Sequence, residues 1–225
     1  MNTHDFKVYG GTLPGPVSRK RDKPNQDRYG FNTLDNSAII AVADGAGSLA
    51  RSDEGAELAV STVLEHVPEQ GLEQAVAEAR ITLVEHEARH QIGCTLAAAH
   101  FTNENVDVSI TGDAFAIVWF GENNFEIVEN PQQSEYANLT SLLTSAYTDT
   151  TLYQFGAEVQ GVAVSTDGLL HYTVDRESRI PTSGFWRPVF QQALDGVLNV
   201  ESLLQFMANL GKHDDDTAMV VAVKS

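Results

Sequence analysis

The chain has 225 residues, 42% of them hydrophobic, and carries 31 acidic against 14 basic side chains, which gives a formal net charge of -17. This acidity argues against nucleic acid or an anionic membrane as a partner, because both require a basic face. With Cys94 as its single cysteine, the chain excludes an internal disulfide and gives no sign of a cysteine-based metal site.

The length of the chain and its even composition predict one domain over residues 1–225, since no linker-like or low-complexity stretch divides the chain. No apolar run approaches the length needed to cross a bilayer, and the N-terminus lacks a signal-peptide core. We therefore expect a cytoplasmic protein, with a monomer as the default state.

The predicted elements alternate in blocks along the chain. Short β-branched runs predict strands over residues 6–13, 28–31 and 39–44, and helical periodicity follows over residues 52–67, where Pro68 stops the pattern, and over 72–83. Further strands are predicted over residues 94–101, 106–110, 115–120, 125–128, 152–159 and 162–167. Helices over residues 189–197 and 200–207 and a last strand over 217–223 complete the order. Such blocks favour mostly antiparallel sheets flanked by helices, of the α+β class.

Aspartates mark the ends of four of these apolar runs. A buried strand holds a carboxylate at its end rigidly, and several rigid carboxylates brought together repel one another unless a positive charge lies between them. Hard divalent cations are the usual ligands of such oxygen clusters. The aspartates are those of Asp44-Gly45, Gly112-Asp113, Asp167-Gly168 and Asp214-Asp215-Asp216.

Taken in order, the motifs resemble the metal-dependent protein phosphatases of type 2C, and most closely their compact bacterial branch. The motifs are Asn25-Gln26-Asp27, Asp44-Gly45-Ala46-Gly47-Ser48, Gly93-Cys94-Thr95-Leu96, Thr111-Gly112-Asp113, Ser165-Thr166-Asp167-Gly168 and Asp214-Asp215-Asp216-Thr217, with Glu135-Tyr136-Ala137-Asn138 and Thr140 typical of the bacterial branch. The resemblance implies a four-layer αββα sandwich and a binuclear Mn²⁺ or Mg²⁺ site. It also implies hydrolysis of phosphoserine and phosphothreonine on proteins by attack of a hydroxide that bridges the two ions.

The resemblance also implies roles for individual residues. Asp44 would bridge the two ions with the Gly45 carbonyl as a further ligand, Asp167 and Asp214 would complete the carboxylate set, and Asp27 would hold metal-bound waters. Asp113 would hold a third, weaker ion.

Three departures from the family pattern leave parts of the site open. The usual aspartate partner of the third ion is replaced by His171, so a third ion is an open question. Gln26 stands where many relatives have glutamate, which removes one negative charge. Asp22 occupies the position of the phosphate-binding arginine, and Arg21 is our candidate for that role, with Arg19 as the next nearest.

Two other functions share part of this pattern. A phosphatase of the haloacid-dehalogenase type needs a second aspartate two residues after the first, and Ala46 stands there. A pseudophosphatase that only binds phosphoproteins stays open, although it has no chemical need for all of the aspartates. A small phosphorylated metabolite is an alternative to a phosphoprotein substrate, and residues 172–186 are the predicted variable flap beside the site.

Overall fold

The computed structural model describes residues 5–21, 23–130, 140–146 and 149–225, and contains two five-stranded antiparallel sheets. In the first sheet the strand order is β1 (Phe6–Leu13), β10 (Thr217–Lys224), β9 (Gly161–Ser165), β6 (Phe115–Trp119) and β7 (Phe125–Glu129). In the second it is β2 (Asp27–Leu34), β3 (Ser37–Asp44), β4 (Leu96–Thr102), β5 (Val106–Thr111) and β8 (Thr150–Phe155).

Helices cover the outer face of each sheet. The helices are α1 (Pro16–Arg21), α2 (Ser52–Gln70), α3 (Leu72–Glu85), α4 (Leu170–Thr173), α5 (Ser183–Leu194) and α6 (Val200–Asn209). Buried side chains of α2 and α3 pack on the second sheet, and those of α5 and α6 pack on the first. The predicted four-layer αββα sandwich is therefore confirmed. Across the described ranges, no helix has the length and apolar content that a membrane crossing requires.

Strand β3 shows how the sequence fills both sides of a sheet. All seven residues from Ser37 to Ala43 are buried. Ile40 and Val42 enter the core between the two sheets, whereas Ile39 and Ala41 face the core under α2 and α3. Because alternate residues of a strand point to opposite faces, a strand buried on both faces is apolar throughout. Such a strand holds the residue at its end, Asp44, in a fixed position.

Helix α2 is longer than predicted, because Pro68 lies inside its last turn instead of ending it. Proline has no N–H, so the Leu64 carbonyl loses the helical donor that would stand four residues later. The Asn32 side-chain amide donates to that carbonyl at 3.1 Å. A neighbouring strand thus supplies the missing hydrogen bond, which a sequence pattern confined to the helix could not reveal.

In the C-terminal half, two predicted segments differ from the structure in their extent. The predicted helix over residues 189–197 is α5, which begins at Ser183 and ends before Val197, a residue that is 66% exposed. Gly196 adopts a positive φ of 77° and turns the chain away from the helix. The predicted flap over residues 172–186 includes Trp186, which is fully buried and donates its indole N–H to the Thr173 carbonyl at 3.0 Å. Only the middle of that segment is therefore on the surface.

Candidate active site

Five aspartates predicted from the sequence lie at the same end of the two sheets. Asp27 and Asp44 are directly opposite each other in the β2–β3 pair. Asp113 follows β5 after one glycine, Asp167 begins a short 3-10 helix after β9, and Asp214 lies in the loop that enters β10. The charges of Asp27, Asp167 and Asp113 all act on Asp44. The structure therefore brings together carboxylates that are up to 187 residues apart in the chain (214 − 27).

Asp44 is fixed by the strand next to it. Its backbone N–H donates to the Thr95 hydroxyl at 3.3 Å, and its carbonyl accepts the Thr95 N–H at 2.9 Å. A side chain at Gly45 would place a Cβ 2.7 Å from the Ser52 carbonyl carbon and 2.9 Å from the Gln26 carbonyl oxygen. Only glycine fits between these backbones, so the turn after Asp44 can pass close to the Gln26 loop.

Asp27 is a buried carboxylate, and neither of its oxygens has a hydrogen-bond partner among the described residues. The pKa of Asp27 is raised to about 8, chiefly by burial; the charges of Asp216 and Asp167 also raise it, while the nearby Thr166 and Asp44 side chains lower it. Unpaired buried oxygens of this kind are rare in folded proteins. This raised pKa favours the protonated form of Asp27 at neutral pH when no cation is bound.

The neighbouring aspartates show the same perturbation. Burial and the charges of Asp27, Asp167 and Asp113 raise the pKa of Asp44 well above its usual value. Burial raises the pKa of Asp167 to about 7, with smaller contributions from Asp113, Asp215 and Asp214. Each carboxylate is therefore destabilised in its charged form by the others.

These residues fit a hard divalent cation. The donors are all oxygens, and among the described side chains no lysine or arginine forms an ion pair with any member of the cluster. In the same described part of the chain, no group of three or more histidine, cysteine, aspartate or glutamate side chains is arranged so that it could hold a metal ion as the side chains stand. The carboxylates lie as an open acidic cluster, whose mutual repulsion a cation would relieve.

Asp113 is held by one neighbour on one side only. The Thr140 hydroxyl donates to its Oδ2 at 2.8 Å, and its Oδ1 is buried without a hydrogen bond partner among the described residues. His171, the residue at the position of the usual partner of a third ion, is exposed on α4. Its position leaves the question of a third ion open.

Among the three consecutive aspartates, Asp216 has a structural role. It is buried, and its two carboxylate oxygens accept the backbone N–H groups of Gly15 at 2.6 Å and Gln26 at 2.8 Å. Asp214 and Asp215 are exposed, and both raise the pKa of Asp167. Asp214 and Asp215 are thus both free of the structural role of Asp216, and the choice of Asp214 as the ligand stays a prediction.

The residues near the expected phosphate position are only partly described. The Gln26 side-chain amide donates to the hydroxyl of Ser52, the first residue of α2, so Gln26 links its loop to the start of that helix. Arg21 ends α1, and its side chain lies outside the described part of the structure, as do Asp22 and residues 135–138. A phosphate contact by Arg21 stays a prediction.

Sequence reasoning missed three residues that contact the acidic cluster. Thr95 fixes the Asp44 backbone, Thr166 lies against Asp27, and the Tyr172 phenol is close enough to Asp214 for burial and that charge to raise the tyrosine pKa. Both threonines belong to motifs that the sequence analysis singled out, but nothing in those motifs indicated what the threonine side chains do. Tyr172 had no sequence signal, because its contact depends on how α4 packs.

A sequence profile of the family described as protein phosphatase 2C matches residues 14–208. The chain is also similar to serine/threonine-protein phosphatase 3 of Escherichia coli strain K12, with 26% identity over 96% of this chain and 97% of the relative.

Solved structures of bacterial phosphatases share the architecture. The serine/threonine phosphatase Stp1 from Staphylococcus aureus superposes with a TM-score of 0.66 at 14% identity, over 97% of this chain and 94% of that one. The catalytic domain of PstP in complex with two manganese ions gives a TM-score of 0.69 at 16% identity, over 98% of this chain and 99% of that one. At these identities the likeness shows the fold.

Proposed function

The chain belongs to the protein phosphatase 2C family, and we propose that it hydrolyses phosphoserine and phosphothreonine on proteins with two Mn²⁺ or Mg²⁺ ions held by the acidic cluster. The observation that carries the proposal is the cluster of aspartates at one end of both sheets, in which both Asp27 oxygens and Asp113 Oδ1 are buried without a hydrogen-bond partner among the described residues. We also propose that residues 1–225 form one catalytic domain that acts as a monomer, and that the cytoplasm is its location.

Asp44 is the proposed bridging ligand, since it is surrounded by the other carboxylates of the cluster. The Gly45 carbonyl, Asp167 and Asp214 would complete the ligand set, and Asp27 would orient waters from its buried position next to Asp44. Bound divalent ions supply charge neutralisation at the phosphoryl oxygens and a nucleophilic water at neutral pH. Asp113 would hold a third ion, if one binds.

The protein side chains would do the remaining work of positioning. Arg21, with Arg19 as the alternative, would bind phosphoryl oxygens from helix α1, which precedes Asp27 in the chain. The inter-strand pairing of Asp27 with Asp44 keeps both carboxylates in register, so the ligand set needs little reorganisation on binding.

An inactive phosphoprotein-binding module would have no use for this arrangement. Keeping the Asp27 carboxylate buried without hydrogen bonds costs stability in the metal-free protein. A phosphopeptide-binding surface requires cations rather than a cluster of carboxylates. The family match and the cluster therefore both favour the enzyme.

The direct test is hydrolysis of phosphoserine and phosphothreonine peptides by the purified protein with Mn²⁺, with Mg²⁺ and with a chelator. We expect activity only with a divalent ion, and a higher kcat/KM for peptides than for small phosphorylated metabolites. The same assay with Asp44→Asn should show a loss of about a thousandfold or more, because the proposed bridging ligand loses its charge.

Two results would contradict the proposal. One is a folded wild-type protein that hydrolyses no phosphopeptide with either ion, which would favour the binding module. The other is Asp44→Asn with wild-type activity, which would place the reaction elsewhere.

A further inference from the structure

The bases around the Asn25-Gln26-Asp27 motif fall into two groups in the structure. Arg28 is compensated, since its guanidinium pairs with Asp53 at 3.3 Å and Glu57 at 3.1 Å. Arg19, Lys20 and Lys23 are exposed and form no ion pair with any side chain that the structure describes. Five of the 14 bases of this acidic chain lie within residues 19–28. We call Arg19 and Lys20 of α1, together with Lys23 after it, the basic loop.

The basic loop is attached to the acidic cluster at both of its ends. Gly15 precedes it and Gln26 follows it, and both backbone N–H groups donate to the one carboxylate of Asp216. A Cβ at Gly15 would lie 2.5 Å from the Asp215 carbonyl carbon, so the start of α1 packs directly on the Asp215–Asp216 peptide. The next residue after Gln26 is Asp27. The three bases are therefore held beside the proposed site of phosphate hydrolysis.

We propose that the basic loop binds acidic residues that flank the phosphorylated serine or threonine of the substrate, so that the protein prefers acidic phosphoproteins. The inference rests on the phosphatase function proposed above. With a net charge of -17, the rest of the surface repels an acidic chain, and only a local positive region can hold it. Exposed lysine–carboxylate pairs are individually weak, so two or three of them set a preference instead of carrying the binding.

The test compares two peptides that carry a non-hydrolysable phosphonate analogue of phosphoserine, flanked either by glutamates or by glutamines. Equilibrium binding is measured by fluorescence anisotropy with Mn²⁺ present, for the wild type, for Lys20→Glu/Lys23→Glu and for Arg187→Glu. Arg187 is an exposed base on α5 with no ion pair among the described residues, which makes it a charge-reversal control.

We expect the wild type and Arg187→Glu to bind the glutamate peptide about threefold to tenfold more tightly than the glutamine peptide. Lys20→Glu/Lys23→Glu should lose that preference while unfolding at the wild-type temperature, and added salt should reduce the preference in the wild type. Equal affinity of the wild type for both peptides would overturn the proposal, as would an equal loss of preference in Arg187→Glu. Binding to phosphatidylserine vesicles through the same two lysines, without a peptide preference, would assign the loop to membranes and also overturn it.

Hydrolysis of the matching phosphoserine peptides separates this inference from the proposed function. If the wild type hydrolyses both peptides in a metal-dependent manner and binds them with equal affinity, the proposed phosphatase function is supported and the proposed role of the basic loop is rejected. A peptide preference without hydrolysis under any ion removes the phosphatase and keeps an acidic-phosphopeptide binding surface.

Discussion

Strand β5 carries an aspartate near each end, and the two are treated differently. Asp107, at the end away from the proposed active site, accepts the Asn105 amide at 3.2 Å and the Gln154 amide at 2.8 Å. Asp113, just beyond the other end, has one buried oxygen without a partner among the described residues. The same strand thus has, near one end, a carboxylate with two amide donors and, beyond the other, a carboxylate with one hydroxyl donor and one buried oxygen that no described residue contacts by a hydrogen bond.

The difference distinguishes carboxylates that stabilise the fold from those that are available to a ligand. A hydrogen-bonded carboxylate contributes to stability or is neutral, whereas a buried carboxylate without partners destabilises its charged form. Burial raises the pKa of Asp27, Asp44 and Asp167, so each of them is destabilised in its charged form. A cation bound at this end of both sheets, as proposed, would offset that cost.

Substitution of one aspartate from each kind gives the largest expected contrast. Asp167→Asn removes a proposed ligand and should reduce metal-dependent phosphopeptide hydrolysis by about a hundredfold to a thousandfold. Asp107→Asn should keep wild-type kcat/KM, because its partners are surface amides far from the cluster. Similar activities of the two variants, measured under identical Mn²⁺ concentrations, would remove the distinction.

Asp216 provides the opposite case, because it lies at the same end of the sheets as the proposed active site but stabilises the fold. Asp216→Ala leaves the Gly15 and Gln26 N–H groups without their acceptor and should lower the free energy of unfolding by about 2–4 kcal/mol. Asp107→Ala should cost less than about 1 kcal/mol, since water can replace the lost acceptor for exposed amides. Urea unfolding of both variants measures the difference. Equal losses would mean that Asp216 does not hold the loop in place.

Metal addition should stabilise the folded protein through the acidic cluster alone. At an ion concentration about a hundred times the dissociation constant, binding adds about 2.7 kcal/mol, which raises the melting temperature of a chain of this size by about 5–10 °C. Scanning calorimetry with Mn²⁺ and with a chelator measures the shift. The shift should vanish in Asp44→Asn and persist in Asp107→Asn, and the reverse pattern would locate the ion at the wrong end of the sheet.

The metal-free protein should lose stability as the pH rises. The pKa of Asp27 is raised to about 8 and that of Asp167 to about 7, from about 3.8 in the unfolded chain. The folded state therefore binds more protons between about pH 4 and pH 8, and the free energy of unfolding falls across that window. We expect a decrease on the order of 1 kcal/mol or more between pH 5.5 and pH 8 with chelator present. Asp27→Asn should flatten the profile, and a rise in stability with pH would contradict the assigned repulsion.

Much of the fold could be predicted because its strands carry their own signal. The runs that became β3, β9 and β10 are rich in β-branched residues and almost entirely buried, and this pattern can be read without knowledge of distant partners. The helix α1 was not predicted, since six residues are too few to show a helical period. The continuation of α2 through Pro68 depends on Asn32, a residue in another element.

The aspartates of the acidic cluster could be predicted from the sequence. Which aspartates of that region are available to a ligand and which one stabilises the fold could not. Motif order identified Asp27, Asp44, Asp113, Asp167 and Asp214, and the structure brings them to one end of both sheets. That Asp216 binds two backbone N–H groups could not be read from three identical neighbours. The difference arises from where the loop before β10 places each side chain, which is a property of the assembled fold.

The central claim is that the acidic cluster binds divalent ions, and a Mn²⁺ titration tests it most directly. Isothermal titration calorimetry of the chelator-treated wild type and of Asp44→Asn counts the ions bound per chain. We predict two ions for the wild type and the loss of both high-affinity sites in the variant, because Asp44 is the proposed bridge. A wild type that binds no Mn²⁺, or an Asp44→Asn variant with unchanged binding, would contradict the claim.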